Sequence, residues 1–245
     1  MISIKLNKEY SLKGYSLIEA FPGAGLVGSM AGSYIIEKLK MEYIGHIESD
    51  MFPPIATIHN GIPMFPARIY KDDDTKVVLI IAEFTVPSEA IFQLSMELMN
   101  FIRKYGISKI VSISGMPSQK PSNSVYIASP DSALLKKAGN AGIKPIDEGV
   151  IAGISAIIMT NAEQFKIPTM NLLVEVNPAI LDPRYAELAI AGLNKIMNME
   201  IDLDDLEKEA KLVEAKIRSL QKKVKDTSDT LSGAAPQDQG PSMYA

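Results

Sequence analysis

Apolar positions in this chain fall into short continuous or alternating runs, separated by stretches of helical period, as far as about residue 197. Residues 16–21 (Ser-Leu-Ile-Glu-Ala-Phe) predict a strand, after which Pro22 to Gly28 turns into a helix reaching Leu39. Residues 55–59 and 62–70 predict two strands joined at Asn60-Gly61, a dipeptide suited to the positive φ angles of a tight hairpin. Residues 77–82 (Val-Val-Leu-Ile-Ile-Ala) form the continuous apolar run expected of a central strand covered on both faces. A helix follows over 88–104, with Ser88 as N-cap, Ile91, Leu94, Leu98 and Ile102 on one face, and Gly106 as its stop. Strands over 109–114, 125–129 and 169–176 alternate with helices from Pro130 to near Gly139, over 154–164 and over 184–197. This order predicts a layered α/β fold with helices on both faces of a largely parallel sheet, to which the Asn60-Gly61 hairpin adds an antiparallel part.

The pattern changes beyond Met199. Over 202–226 the chain is rich in Glu, Lys, Ala and Leu. Leu203, Ala210, Ile217 and Val224 form one seven-residue series and Leu206, Val213 and Leu220 a second, which is heptad a and d spacing. Acidic residues crowd the start of this segment and lysines its end, matching the helix dipole, and such a helix would be roughly 35 Å long. Its stripe could pack on its own domain; the strict repeat favours pairing with the same helix of another subunit, in a homo-oligomer for which four copies suit a bundled tail. Residues 227–242 carry almost no apolar content and are expected to be a disordered tether reaching about 20–25 Å. The chain divides accordingly into a core domain (1–199), a heptad helix (200–226) and a flexible tail (227–245). Met243, Tyr244 and Ala245 would then present an apolar residue, a phenol ring and a carboxylate as a ligand for another protein.

Composition narrows the chemistry. With 47% hydrophobic residues in 245, the chain can bury a substantial core. The absence of cysteine excludes disulfides, thiolate nucleophiles and Cys-based metal sites, and two isolated histidines do not make a His-rich one. A net charge of -4 without a basic cluster outside the C-terminal helix argues against a nucleic-acid partner. No apolar run is long enough to span a bilayer and no leader-like start is evident, so the expectation is a cytoplasmic protein without a membrane partner.

Gly23, Gly25 and Gly28 formally spell G-x-G-x-x-G between a strand and a helix. In that context glycines let backbone amides approach a phosphate at the helix N-terminus, and they equally let a helix pack close on a sheet. Glu42, Glu48 and Asp50 are the acidic candidates downstream, but two prolines, Pro53 and Pro54, interrupt the strand that would be needed to place them. Asp72, Asp73 and Asp74 are consecutive in a turn and lack ligand spacing, while Ser112, Ser114 and Ser118 have no nearby histidine to activate them. No G-x-x-x-x-G-K-[ST] sequence is present, which excludes that mode of ATP hydrolysis.

Four motifs taken together carry a resemblance. Residues 21–28 (Phe-Pro-Gly-Ala-Gly-Leu-Val-Gly), Gly115-Met116-Pro117, residues 149–153 (Gly-Val-Ile-Ala-Gly) and Asp182-Pro183 before an Ala-rich helix follow the order and approximate spacing of the proteasome assembly chaperone family, archaeal members above all. The resemblance covers residues 16–197. It implies a three-layer α/β/α core of the phosphorylase/hydrolase-like kind, no catalytic activity, no cofactor, and a chaperone or activator role at the proteasome α-ring. The Met-Tyr-Ala end resembles the hydrophobic-tyrosine-any tail of proteasome activators. By that likeness Met243 would meet an apolar wall, Tyr244 would wedge into a pocket between α-subunits and open the gate, and the Ala245 carboxylate would pair with a lysine. The alternative from another class is a nucleotide- or nucleoside-binding enzyme or sensor using Gly23, Gly25 and Gly28, with Glu83, Asp131, Glu148 or Glu175 as polar contacts.

Overall fold

A computed structural model describes residues 1–204 and 206. The chain runs β1 (Ile2–Leu6), β2 (Ser16–Ala20), α1 (Val27–Lys38), β3 (Glu42–Ser49), β4 (Thr57–His59), β5 (Ile62–Met64), β6 (Ala67–Asp72), β7 (Val77–Ala82), α2 (Ser88–Tyr105) and β8 (Lys109–Pro117). It continues through β9 (Val125–Ala128), α3 (Ser132–Asn140), β10 (Lys144–Pro145), α4 (Ile154–Gln164), β11 (Thr169–Val176) and α5 (Pro183–Met197). Nine strands form one sheet in the order β1-β3-β6-β7-β2-β8-β11-β9-β10, and β4 pairs with β5 in a separate ribbon.

The expectation of a largely parallel sheet needs correction. Only the centre, β7-β2-β8-β11, is a continuous parallel block. β1, β3 and β6 extend it antiparallel on one side, and β9 lies antiparallel to β11 on the other. β1 and β3 escape sequence reading because only one face of each is apolar: Ile-Ser-Ile-Lys-Leu and Glu-Tyr-Ile-Gly-His-Ile-Glu-Ser carry polar residues on the side that meets solvent. The run over 62–70 is two strands rather than one, β5 and β6, divided at Phe65-Pro66 because proline has no N–H to give to a ladder. Asn60 and Gly61 do take positive φ angles, 51° and 80°, and close the β4–β5 hairpin. Ser88 is not the N-cap of α2: Pro87 holds that position, and the Ser88 hydroxyl bonds the Glu89 carboxylate.

The central strands are buried on both sides. Along β7, Val77, Leu79 and Ile81 belong to the core on the α1, α3 and α5 face of the sheet, whereas Val78, Ile80 and Ala82 belong to the core on the α2 and α4 face. The two-residue period of a strand thus divides one apolar run between two cores, one on each face of the sheet. α1 sits unusually close to its strands. A Cβ on Gly28 would lie 2.7 Å from the Phe21 carbonyl oxygen and 2.8 Å from that of Ile113, and one on Gly32 would lie 2.6 Å from Ala20 Cβ. Backbone carbonyls of buried strands cannot turn aside, so Gly28→Val is expected to destabilise the domain by about 3 kcal/mol, at the upper end of overpacking costs. A urea denaturation midpoint unchanged by the substitution would refute this contact.

The segment after α5 returns to the same face. The Asn194 side chain bonds both the N–H and the carbonyl of Ile201, at 3.1 and 2.9 Å, and the Tyr34 hydroxyl donates to the Asp202 carbonyl at 2.7 Å. Leu206 is 1% exposed in the α1–α5 core, and Leu203 packs against the same cluster. The first residue of each heptad series therefore rests on its own domain. Ala210, Val213, Ile217, Leu220 and Val224, the tail over 227–242, and Met243, Tyr244 and Ala245 lie outside the described residues.

Candidate functional site

The C-terminal ends of β2, β8 and β11 open into a cavity of about 540 Å³ on the α2/α4 face. Strand ends in an open α/β sheet are where ligands are usually held, because loops there are free to vary over a rigid base. The cavity walls are mostly apolar, with Phe21, Val86, Ile91, Met116, Ile154 and Leu173 contributing. Its roof is the glycine-flanked segment over 149–153, which ends where α4 begins.

One carboxyl group lies at the floor. Glu19, 2% exposed, is the acidic residue in the Ser-Leu-Ile-Glu-Ala strand, and the strand alternation turns it toward α4. Its Oε1 accepts from the Phe21 N–H at 3.1 Å and its Oε2 from the Ser155 hydroxyl at 2.7 Å. Ser155 Oγ is in turn 3.4 Å from Ser114 Oγ. Burial pushes the Glu19 carboxyl above the usual carboxylate range, and the hydroxyls of Ser155 and Ser112 and the Phe21 N–H pull it only part of the way back.

Strand register extends this polar floor. Glu19 pairs with Ser112 on β8, and Ser112 with Asn171 on β11, so three polar residues form a row across adjacent central strands on one face. Ser112 Oγ lies beside the Glu19 carboxylate without a well-formed hydrogen bond, and both side-chain polar atoms of Asn171 are buried without a partner among the described residues. Such groups cost free energy unless water or a ligand completes them. The cavity lining contains no Lys, Arg or His, and its other titratable residue is Asp147, which is exposed.

The glycine turn borders this cavity without forming a phosphate cradle. Gly23 contributes to the rim, but the turn from Ala24 to Leu26 is pressed against the sheet: a Cβ on Gly25 (φ 63°) would be 3.0 Å from Val176 Cβ, and one on Gly115 would fall 2.0 Å from the Ala24 carbonyl oxygen. Close packing accounts for Gly25, Gly28 and Gly115, whereas a Cβ on Gly23 would meet open space. The acidic residues considered for a nucleotide are dispersed. Asp131 caps α3 through the Ala133 and Leu134 N–H groups, Glu175 accepts from the Ser122 N–H at 2.7 Å, and Glu148 is exposed.

Glu83 belongs to a second polar centre, beneath the β4–β5 hairpin. Arg68, 3% exposed, donates from Nη1 to Thr57 Oγ1 at 2.7 Å, the Phe65 carbonyl at 3.0 Å and Glu83 Oε2 at 3.1 Å, and from Nε to the Tyr70 hydroxyl at 2.8 Å. His59 Nε2 lies 3.1 Å from the same Glu83 oxygen. Burial pushes the Glu83 carboxyl up, but bonds from His59 and Arg68 outweigh it and bring its pKa down to about 2. This is a structural clasp holding the hairpin on β6 and β7. The aspartates of the 72–74 turn are also structural: Asp72 accepts from the Thr75 N–H and hydroxyl, and Asp73 from Lys71 and Tyr15. Among the described residues no group of three His, Asp or Glu is placed to hold a metal ion.

Neither Glu19 nor Ser155 was among the residues singled out by sequence. The available signals were an acidic residue inside an otherwise apolar strand and a serine just after a glycine-rich loop.

The PAC2 family model matches residues 17–221. The chain belongs to the PAC2 family. A relative from Methanocaldococcus jannaschii, described as an uncharacterized protein, is 31% identical over 207 residues, covering 83% of this chain and 84% of the relative. The crystal structure of Pyrococcus furiosus PbaA, described as an archaeal homolog of proteasome-assembly chaperone, superposes with a TM-score of 0.83 at 26% identity, covering 93% of this chain and 100% of that one. Pyrococcus furiosus PbaB, described as an archaeal proteasome activator, shares the fold with a TM-score of 0.74 at 20% identity, over 89% of this chain and 98% of that one. The family match takes in the α/β core and most of the heptad segment. Among the described residues of this PAC2 protein no helix is long and apolar enough to cross a membrane.

Proposed function

We propose that this PAC2 protein is a cytoplasmic, ATP-independent and non-catalytic partner of the proteasome, acting as an assembly chaperone, a gate-opening activator, or both. The observation that carries this reading is the likeness to PbaA, which extends over 93% of this chain and the whole of that archaeal chaperone homolog. In this reading Met243, Tyr244 and Ala245 dock into pockets between subunits of the proteasome α-ring. The 227–242 segment is the tether that lets them reach.

Self-association supplies the remaining element. Leu203 and Leu206 anchor the base of the heptad helix to the α1–α5 layer, and Ala210, Val213, Ile217, Leu220 and Val224 then continue the stripe toward other copies, with four as the expected count. Several tails on one assembly gain affinity because the first to bind raises the effective concentration of the rest.

Co-sedimentation with a purified proteasome core particle tests the docking. The protein is expected to co-sediment, and a version with a short peptide fused after Ala245 is expected to remain in the supernatant. Equal co-sedimentation of the two would rule out the terminal docking mode.

A further inference from the structure

Tail docking leaves the cavity at the strand ends without a role. We propose that this cavity binds a small molecule carrying a protonated amine on an apolar body, with the amine against Glu19 and Ser155 and the body against Phe21, Val86, Ile91 and Leu173. It is a binding site separate from the tail and independent of the proteasome reading.

Charge is the first argument. A carboxyl group on the floor of an apolar cavity is costly to ionise unless a cation or several donors face it. Glu19 faces only neutral donors, the Phe21 N–H and the Ser155 hydroxyl with the Ser112 hydroxyl beside them, and no Lys, Arg or His among the cavity residues. A ligand ammonium would supply the missing countercharge. Geometry agrees: each Glu19 oxygen accepts one protein hydrogen bond, and each has lone-pair capacity for another. Ser114 and Ser155 add hydroxyl oxygens beside the carboxylate, which can accept from the same ammonium.

The same features select against anions. Asp147 is the other titratable group in the lining, so no side-chain cation is there to pair with a phosphate or carboxylate. A volume of about 540 Å³ lies in the range of small-molecule pockets.

Thermal unfolding of the full chain with hexylammonium, hexanol and hexanoate tests the assignment. At ligand concentrations some ten times the dissociation constant, hexylammonium is expected to raise the Tm by about 3–6 °C. Hexanol should give a smaller rise and hexanoate none. In Glu19→Gln the hexylammonium shift should fall to that of hexanol. Ser114→Lys provides a second variant, since a lysine on the cavity wall would occupy the carboxylate itself and remove the hexylammonium shift while leaving a folded domain. A hexanoate shift equal to that of hexylammonium, an undiminished hexylammonium shift in either variant, or no shift with any of the three compounds would overturn the proposal.

Discussion

Tyr244→Ala is expected to abolish binding to the proteasome core while leaving the thermal unfolding of the α/β domain unchanged. Aromatic anchors dominate small docking interfaces, and loss of one tyrosine typically removes about 2–4 kcal/mol. In a multivalent assembly this loss recurs at every tail, so even a modest cost per site becomes complete loss of co-sedimentation. The described residues up to Leu206 already build two extensive cores, which the substitution is expected to leave intact. Surface plasmon resonance with immobilised core particle, paired with calorimetry of the free protein, checks both halves. Retained binding by the variant would mean that another surface makes the contact.

Arg68→Ala is expected to cost about 3–5 kcal/mol in folding stability, the range for removing one partner of a buried ion pair. The guanidinium joins β4, β6, β7 and the Phe65 carbonyl, so its loss leaves the Glu83 carboxylate, 7% exposed, with only His59 beside it. Exchanging both members, Arg68→Met with Glu83→Leu, should be less damaging than Arg68→Ala alone, because no uncompensated charge then remains. The pH dependence has a definite sign. Glu83 has its folded pKa held at about 2, below its ordinary value, so its contribution is complete above the unfolded pKa and is lost as pH falls toward 2. Urea denaturation of the parent protein between pH 7 and pH 2.5 should show this decline, and a Glu83→Gln variant should show a shallower one. Parallel profiles would contradict the assignment.

The fold was legible where burial on both faces left an unbroken apolar signal. α4 and β11 begin and end where the residue pattern puts them, and β7 spans the whole of Val77–Ala82. It was not legible where a strand has one wet face, as in β1 and β3, or where a single proline divides a run, as Pro66 does between β5 and β6. The glycine turn was visible in sequence, but its role depended on distances to Phe21, Ile113 and Val176 that no spacing rule supplies. Glu19 was hidden for a different reason. Its significance lies in Ser155, 136 residues away, and in a register that brings Ser112 and Asn171 into its row. An acidic residue in an apolar strand acquires chemical meaning only when its neighbours across the sheet are known.

Peptide hydrolysis by a purified proteasome core, measured with the full chain and with a version lacking Met243 to Ala245, tests the proteasome reading most directly. Stimulation or assembly-dependent activity that disappears with those three residues, while both proteins keep the same unfolding temperature, is the predicted result. Equal activity with and without them, at concentrations where the full chain saturates, would contradict it.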